Sequence, residues 1–191
     1  MIVLTGSIAT GKSSVCRQLE VNGYAIIDAD KIAKELIDAK VIEKLFGLNF
    51  IKNEKVDRKA LGDLVFSNPK KREKLNRYIH PLIREKIYQE VKKMEDNHMK
   101  YVVDIPLYFE SGHYDGSVVG VVYCPKKEQI RRLMLRDGIS EVDAIKRVDS
   151  QIDIEEKKAN ADFVIDNSKD GKYLEMQSKK FMEYLSENFK I

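Results

Sequence analysis

Gly6-Ser7-Ile8-Ala9-Thr10-Gly11-Lys12-Ser13 fits the pattern G-x-x-x-x-G-K-[ST] without a gap, between the apolar run Ile2–Thr5 and a helical pattern that opens at Lys12. No other feature constrains the fold as strongly. Strand, glycine-bounded loop and helix together aim backbone N–H groups at one point and favour an anion there. Gly6 and Gly11 allow backbone angles and close approaches that a Cβ would obstruct. Lys12 then reaches the β and γ phosphates, and the Ser13 hydroxyl takes a place on Mg²⁺. The motif argues strongly for a phosphate site and is silent about what receives the phosphate.

The rest of the chain alternates short apolar runs with longer helical patterns. Beyond Ile2–Thr5, strands are expected at Ala25–Asp28, Tyr101–Ile105, Val118–Tyr123 and Phe163–Asp166. Most are apolar at consecutive positions, as a sheet covered on both faces requires. Helical spacing marks Lys12–Leu19, Lys31–Ile37, Asp57–Phe66, Leu82–Met94 opened by Pro81, and Tyr173–Phe189; Ser140 with Asp143 resembles a capping box. Alternation of this kind means βαβ units, hence an α/β fold with a mainly parallel five-stranded sheet flanked by helices. The stretch from Asp28 to Tyr101 is too long for a simple crossover and reads as a helical insertion. A single domain is expected over residues 1–191.

With 43% hydrophobic residues in 191, there is material for one core, and default disorder is excluded. Lys plus Arg number 34 against 31 acidic residues, a net charge of +3, too mild for a duplex nucleic-acid binder. Glu73, Glu85, Glu90 and Glu95 also interrupt the basic stretch Lys70–Lys93. Cys16 and Cys124 are far apart and form no CxxC, which disfavours a disulfide framework and points to a reducing compartment. No apolar run approaches the ~20 residues of a membrane span, and the opening Met1-Ile2-Val3-Leu4 has no basic region of the secretory kind. A cytoplasmic, soluble protein is expected.

Three further groups carry chemistry. Asp28-Ala29-Asp30 ends the second strand, and carboxyl ends of parallel strands are where open α/β sheets bind ligands. Asp30 either orients an acceptor hydroxyl and takes its proton, or caps a helix that begins at Lys31. Asp104 either holds Mg²⁺ or its water, or is a strand-terminal turn residue before Pro106. Arg131, Arg132, Arg136 and Arg147 cluster in a chain otherwise rich in lysine, and planar guanidinium groups suit phosphate. They read as a phosphate-clamping lid. Of the histidines, His80 has context before Pro81, while His98 and His113 read as surface residues, and no spacing resembles a metal site of histidines and cysteines.

Order and spacing of these residues resemble the dephospho-CoA kinase family over nearly the whole chain. The likeness runs through Leu4–Ser13, Ile27–Asp30, His80-Pro81, Asp104–Glu110 and Glu128–Gly138, and closes with Arg147, Gln151, Ala161-Asp162 and Asp166-Asn167. It implies a P-loop kinase core, an acceptor-binding helical region at about 31–98 and a lid at about 126–152. The implied substrates are ATP and dephospho-CoA, phosphorylated at the ribose 3′-hydroxyl, with Mg²⁺ as cofactor and a monomer as the expected state.

Carried over residue by residue, the resemblance makes Asp30, Lys12 and Arg136 catalytic. It gives Ala9, Thr10, Gly11, Lys12, Ser13, Ser14, Arg132, Arg136 and Asn167 to ATP. Asp30, His80, Arg84, Leu107 and Arg147 fall to the acceptor, and Ser13 and Asp104 to the metal. The family loop usually reads Gly-Gly-Ile-Gly-Ser-Gly-Lys, whereas this chain has Ser7, Ala9 and Thr10. An ordinary loop backbone is expected at Ala9. Tyr108 stands where the family commonly has Leu, in the expected acceptor-side wall.

The nearest rival is a nucleoside monophosphate kinase, which shares the loop and lid. A GTP-dependent switch would need N/T-K-x-D, but Asn167-Ser168-Lys169-Asp170 has serine where lysine is required, and D-x-x-G is absent.

Overall fold

The computed structural model describes residues 1–112 and 114–189, so His113 lies outside the described residues. The chain opens with β1 (Ile2–Gly6), α1 (Lys12–Val21) and β2 (Ala25–Asp28). Next come α2 (Ala29–Leu36), α3 (Ala39–Phe46), β3 (Ile51–Lys52), β4 (Lys55–Val56), α4 (Arg58–Ser67) and α5 (Pro69–Asp96). Then follow β5 (Tyr101–Asp104), α6 (Tyr108–Ser111), β6 (Val118–Tyr123), α7 (Lys126–Asp137), α8 (Glu141–Asp149), α9 (Ile154–Ala159), β7 (Phe163–Asp166) and α10 (Gly171–Asn188). Two compact units emerge, one of residues 1–28 and 90–191, the other of residues 29–89.

The first unit is built on a parallel sheet of order β2-β5-β1-β6-β7. Its central strands are buried along their length, as the runs of consecutive apolar residues predict. Register aligns Leu4 with both Asp104 and Gly120, and Asp28 with Asp104, so β2 and β5 end level and β1 runs two residues further, to Gly6. One face is covered by α1 and α10, where Val15, Leu19, Phe181 and Leu185 pack on Leu4, Val102 and Val122. A smaller cluster of Leu133, Ala144 and Val148 closes the α7–α8 hairpin and packs against Ile8 and Ala9. Ser140 caps α8 by accepting from Asp143 N at 3.1 Å. The Asp143 carboxylate accepts from the Ser140 hydroxyl at 2.7 Å, in place of the backbone N–H of a full capping box.

The second unit has its own core of Ile42, Leu61 and Leu75, with Phe46, Phe50 and Val56 packed against it. Asp38 and Asp57 cap α3 and α4, accepting from Val41 N and Ala60 N. The β3–β4 hairpin turns through Asn53 and Glu54, both at positive φ, a turn that the glycine-free pair Asn-Glu does not announce.

Two helix boundaries depart from expectation. Pro81 lies inside α5, which instead opens with Pro69 at its first position. Proline deprives the Arg77 carbonyl of its partner, a cost of about 3 kcal/mol. The helix continues because Leu75, Ile79, Ile83, Ile87 and Val91 form one buried row across the break. Likewise α2 starts at Ala29, so Asp30 stands in its first turn and does not cap a helix from Lys31.

Tight packing on β6 supplies a test. A Cβ on Gly120 would meet the Phe181 ring 2.8 Å away, deep in the sheet-to-α10 layer. Gly120→Ala should cost about 1–3 kcal/mol by overpacking. A melting temperature lower by about 2–10 °C is expected for a chain of this length; an unchanged melting temperature would show that the ring moves aside freely.

Candidate active site

Between β1 and α1 the chain folds into a closed turn. Thr10 Oγ1 donates to the Ser7 carbonyl at 2.9 Å, and Thr10 N donates to the same oxygen at 3.2 Å. Both glycines are required by space. A Cβ on Gly6 would lie 2.8 Å from the Val122 carbonyl, and one on Gly11, at φ 94°, would lie 2.2 Å from Asn167 Nδ2. That amide donates to the Thr10 carbonyl at 2.7 Å, bracing the loop from the end of β7.

The expectation at Ala9 fails, because its φ is 62°, in the left-handed region. The cause is the turn itself: Ile8 N is held by Gln151 on one side and Thr10 by Ser7 and Asn167 on the other. Where the family usually has glycine, an alanine costs about 1 kcal/mol. Packing of this residue against the Leu133 cluster opposes that cost.

Ile8 N donates to Gln151, Thr10 N to Ser7, and Ser14 N to the Gly11 carbonyl. The N–H groups of Ala9, Gly11, Lys12 and Ser13 have no acceptor among the described residues. Orphan donors at a helix N-terminus form an anion site. Beside them, Lys12 pairs with Asp104 Oδ1, and the Cys16 thiol donates to Oδ2 of the same carboxylate at 3.5 Å. Parallel pairing of β5 with β1 makes this contact, since Asp104 lies in register with Leu4. Ser13 is exposed, and Leu107 is 47% exposed just beyond β5. Burial, reinforced by the Asp104 charge, pushes the Cys16 thiol up to about 12; burial likewise raises Cys124 to about 11.

Of the clustered arginines, Arg132 is the one brought to the loop. Its Nη1 would lie 3.8 Å from a Cβ on Gly11, while Nη2 donates to the Asn167 carbonyl at 2.9 Å and Nε to Glu128 at 2.7 Å. Hydrogen bonds from Arg131 and Arg132 hold the Glu128 carboxyl down at about 2. Arg136 and Arg147 meet on a different carboxylate, Asp137, at 2.7 and 2.8 Å. The cluster therefore divides into Arg132 at the loop, Arg131 beside it on the same Glu128, and a pair joined by Asp137.

Asp30, His80 and Arg84 belong to the second unit, on α2 and α5. His98 is exposed. The Tyr108 hydroxyl accepts from Gly116 N at 3.2 Å, fastening the segment before β6. Sequence reasoning missed the thiol of Cys16, which reads as one more apolar residue of α1. It also missed Lys157, fully buried and paired with Glu110 at 2.6 Å, because Lys157-Lys158 reads as a solvent face.

A glycine-bounded loop with orphan donors on a five-stranded parallel sheet defines a P-loop kinase fold. The shikimate kinase of Acinetobacter baumannii shares it, at TM-score 0.55 and 16% identity, with 98% of this chain and 94% of that one covered. More specifically, the profile of the family described as dephospho-CoA kinase matches residues 1–172. The dephospho-CoA kinase of Sulfurimonas denitrificans is 42% identical, over 98% of this chain and 95% of its own. That of Helicobacter pylori J99 is 41% identical, over 96% of each. A solved dephospho-CoA kinase from Campylobacter jejuni superposes at TM-score 0.77 with 37% identity, over 97% of this chain and 96% of that one. The chain belongs to the dephospho-CoA kinase family.

Raised thiol pKa values give a chemical test of the site's packing. At pH 8 the thiolate fraction of either cysteine is on the order of one in a thousand or less, and the thiolate is the nucleophile. Iodoacetamide should leave Cys16 and Cys124 unmodified in the folded protein and label both in denaturant. Fast labelling of Cys16 in the native state would mean that its contact with Asp104 opens readily.

Proposed function

We propose that the chain transfers the γ-phosphoryl group of ATP to the ribose 3′-hydroxyl of dephospho-CoA, giving coenzyme A and ADP. The observation that carries this reading is the row of orphan N–H groups beside Lys12 and Asp104, in a chain that matches the family over residues 1–172. Loop donors hold the phosphates, with Lys12 supplying a positive charge where negative charge develops during transfer. Arg132 and Asn167 line the nucleotide side, and Arg136 with Arg147 forms the clamp of the lid, residues 126–152. Residues 31–98 form the acceptor region, where His80 and Arg84 contact dephospho-CoA, and Leu107, beyond β5, contacts it as well. Asp30, two residues beyond β2, orients the 3′-hydroxyl and takes its proton.

Mg²⁺ fits the donors present. The Asp104 carboxylate and the exposed Ser13 hydroxyl are hard oxygen ligands, few in number, as suits an ion that is also held by phosphate and water. Bound there, it would neutralise charge on the phosphate oxygens. The proposed setting is the cytoplasm, a reading supported by two free, buried cysteines, and the proposed state is a monomer. No helix among the described residues is long and apolar enough to cross a membrane.

ADP release should be rapid with dephospho-CoA, far slower with AMP, and slowest without acceptor. If AMP outran dephospho-CoA, a nucleoside monophosphate kinase would replace this reading. Lys12→Ala should lower turnover by about 10²–10³ while the fold survives. Asp30→Asn should lower kcat by about 10²–10⁴ with little change in ATP affinity. An acid in the first turn of α2 is worth only about 0.3–1 kcal/mol to the helix. Near-normal kcat in the Asn variant would return Asp30 to that structural role.

A further inference from the structure

One backbone donor of the phosphate loop is withheld from the anion site. Ile8 N donates to Gln151 Oε1 at 2.8 Å, from 143 residues away in sequence. Gln151 lies two residues past α8, the helix that carries Arg147. Its neighbour is pinned as well, because Ile152 N donates to Glu110 Oε1 at 3.2 Å. Glu110 in turn pairs with Lys157, which is fully buried, at 2.6 Å. The Leu133–Ala144–Val148 cluster adds apolar contact between the hairpin and Ile8 and Ala9.

We infer that Gln151 is a positioning residue: its side-chain carbonyl, by holding Ile8 N–H, keeps the phosphate loop and the arginine-bearing α7–α8 hairpin in one frame. Arg147 and Arg136 share Asp137, so the orientation of α8 passes to both guanidinium groups. Held this way, the loop presents the donors of Ala9, Gly11, Lys12 and Ser13 and turns Ile8 N–H away from the phosphates. The side chain acts as an acceptor only. A residue of equal length without an acceptor should therefore loosen the frame and leave the core intact. A cavity of about 180 Å³ lined by Ser7, Gln129 and Gln151 has room for water to reach the freed N–H.

Two experiments test this, and the first is independent of the proposed activity. Amide NMR of the wild type, titrated with ADP and separately with inorganic diphosphate, should shift the signals of Ala9, Gly11, Lys12 and Ser13. Ile8 should move least and stay slow to exchange. If Ile8 shifts as much as Gly11 and its exchange changes on binding, the amide is a phosphate donor and the inference fails.

The second experiment rests on the kinase reading and is run once the wild type has been shown to form coenzyme A from dephospho-CoA. Gln151→Met keeps length and loses the acceptor. It should raise KM for ATP on the order of tenfold and lower the ratio of coenzyme A formed to ADP released below one. Neither quantity depends on how much of the preparation is folded, so a merely structural role would move neither. Gln151→Glu keeps an acceptor oxygen and should hold that ratio at one, although its charge raises KM. A Met variant with wild-type KM and full coupling, or equal loss of coupling in both variants, would overturn the inference. Absence of acceptor-dependent product in the wild type would count against the kinase reading and leave the NMR result standing.

Discussion

The pairing of Lys12 with Asp104 depends on a register that neither residue sets. β1 and β5 run parallel with Leu4 opposite Asp104, so a carboxylate ends one strand two residues before the other runs into the loop. From the first turn of α1 the lysine then spans to Oδ1, while Cys16, one turn further along the same helix, donates to Oδ2. Removing the sheet register would separate groups 92 residues apart in sequence. Strand order therefore comes first in the physics of the site: β1 lies between β5 and β6, and the loop leaving it is flanked by residues from both.

Around that pair the loop is over-determined. Its turn is closed by Thr10 on Ser7, braced by Asn167 and restrained by Gln151, and Gly11 has no room for a side chain. These bonds hold Ala9 in a conformation that an alanine adopts at a cost of about 1 kcal/mol. A loop held this firmly keeps its free N–H groups aimed before any phosphate arrives, and such preorganisation is worth more than the strain it requires. Electrostatics on the α7–α8 hairpin follow the same economy. Glu128 steadies Arg132 near the loop, and Asp137 gathers Arg136 and Arg147, so none of these guanidinium groups is an isolated surface charge.

Much of this was legible in the chain because the signals are local. Consecutive apolar residues marked the parallel strands, and the motif from Gly6 to Ser13 marked the loop between strand and helix. What escaped was set by distant partners. The φ of Ala9 follows from bonds made by Gln151 and Asn167, which lie more than a hundred residues downstream. The passage of α5 through Pro81 follows from a buried row that extends on both sides of it. Burial of Lys157 depends on Glu110 in α6, within the connection from β5 to β6, and nothing in the charge pattern of α9 signals it. Propensity reads neighbours in sequence, and these positions answer to neighbours in space.

In the proposed reading, the orphan loop donors, Lys12 and Asp30 serve one outcome, a phosphate placed on the ribose 3′-hydroxyl of dephospho-CoA. The most direct measurement is a phosphorus–proton correlation spectrum of the product made from ATP and dephospho-CoA. One new monoester phosphorus coupled to the ribose H3′, in equal amount to the ADP released, is the expected result. A phosphorus coupled to H2′, or lengthening of the diphosphate in place of a new monoester, would contradict the roles proposed for Lys12 and Asp30.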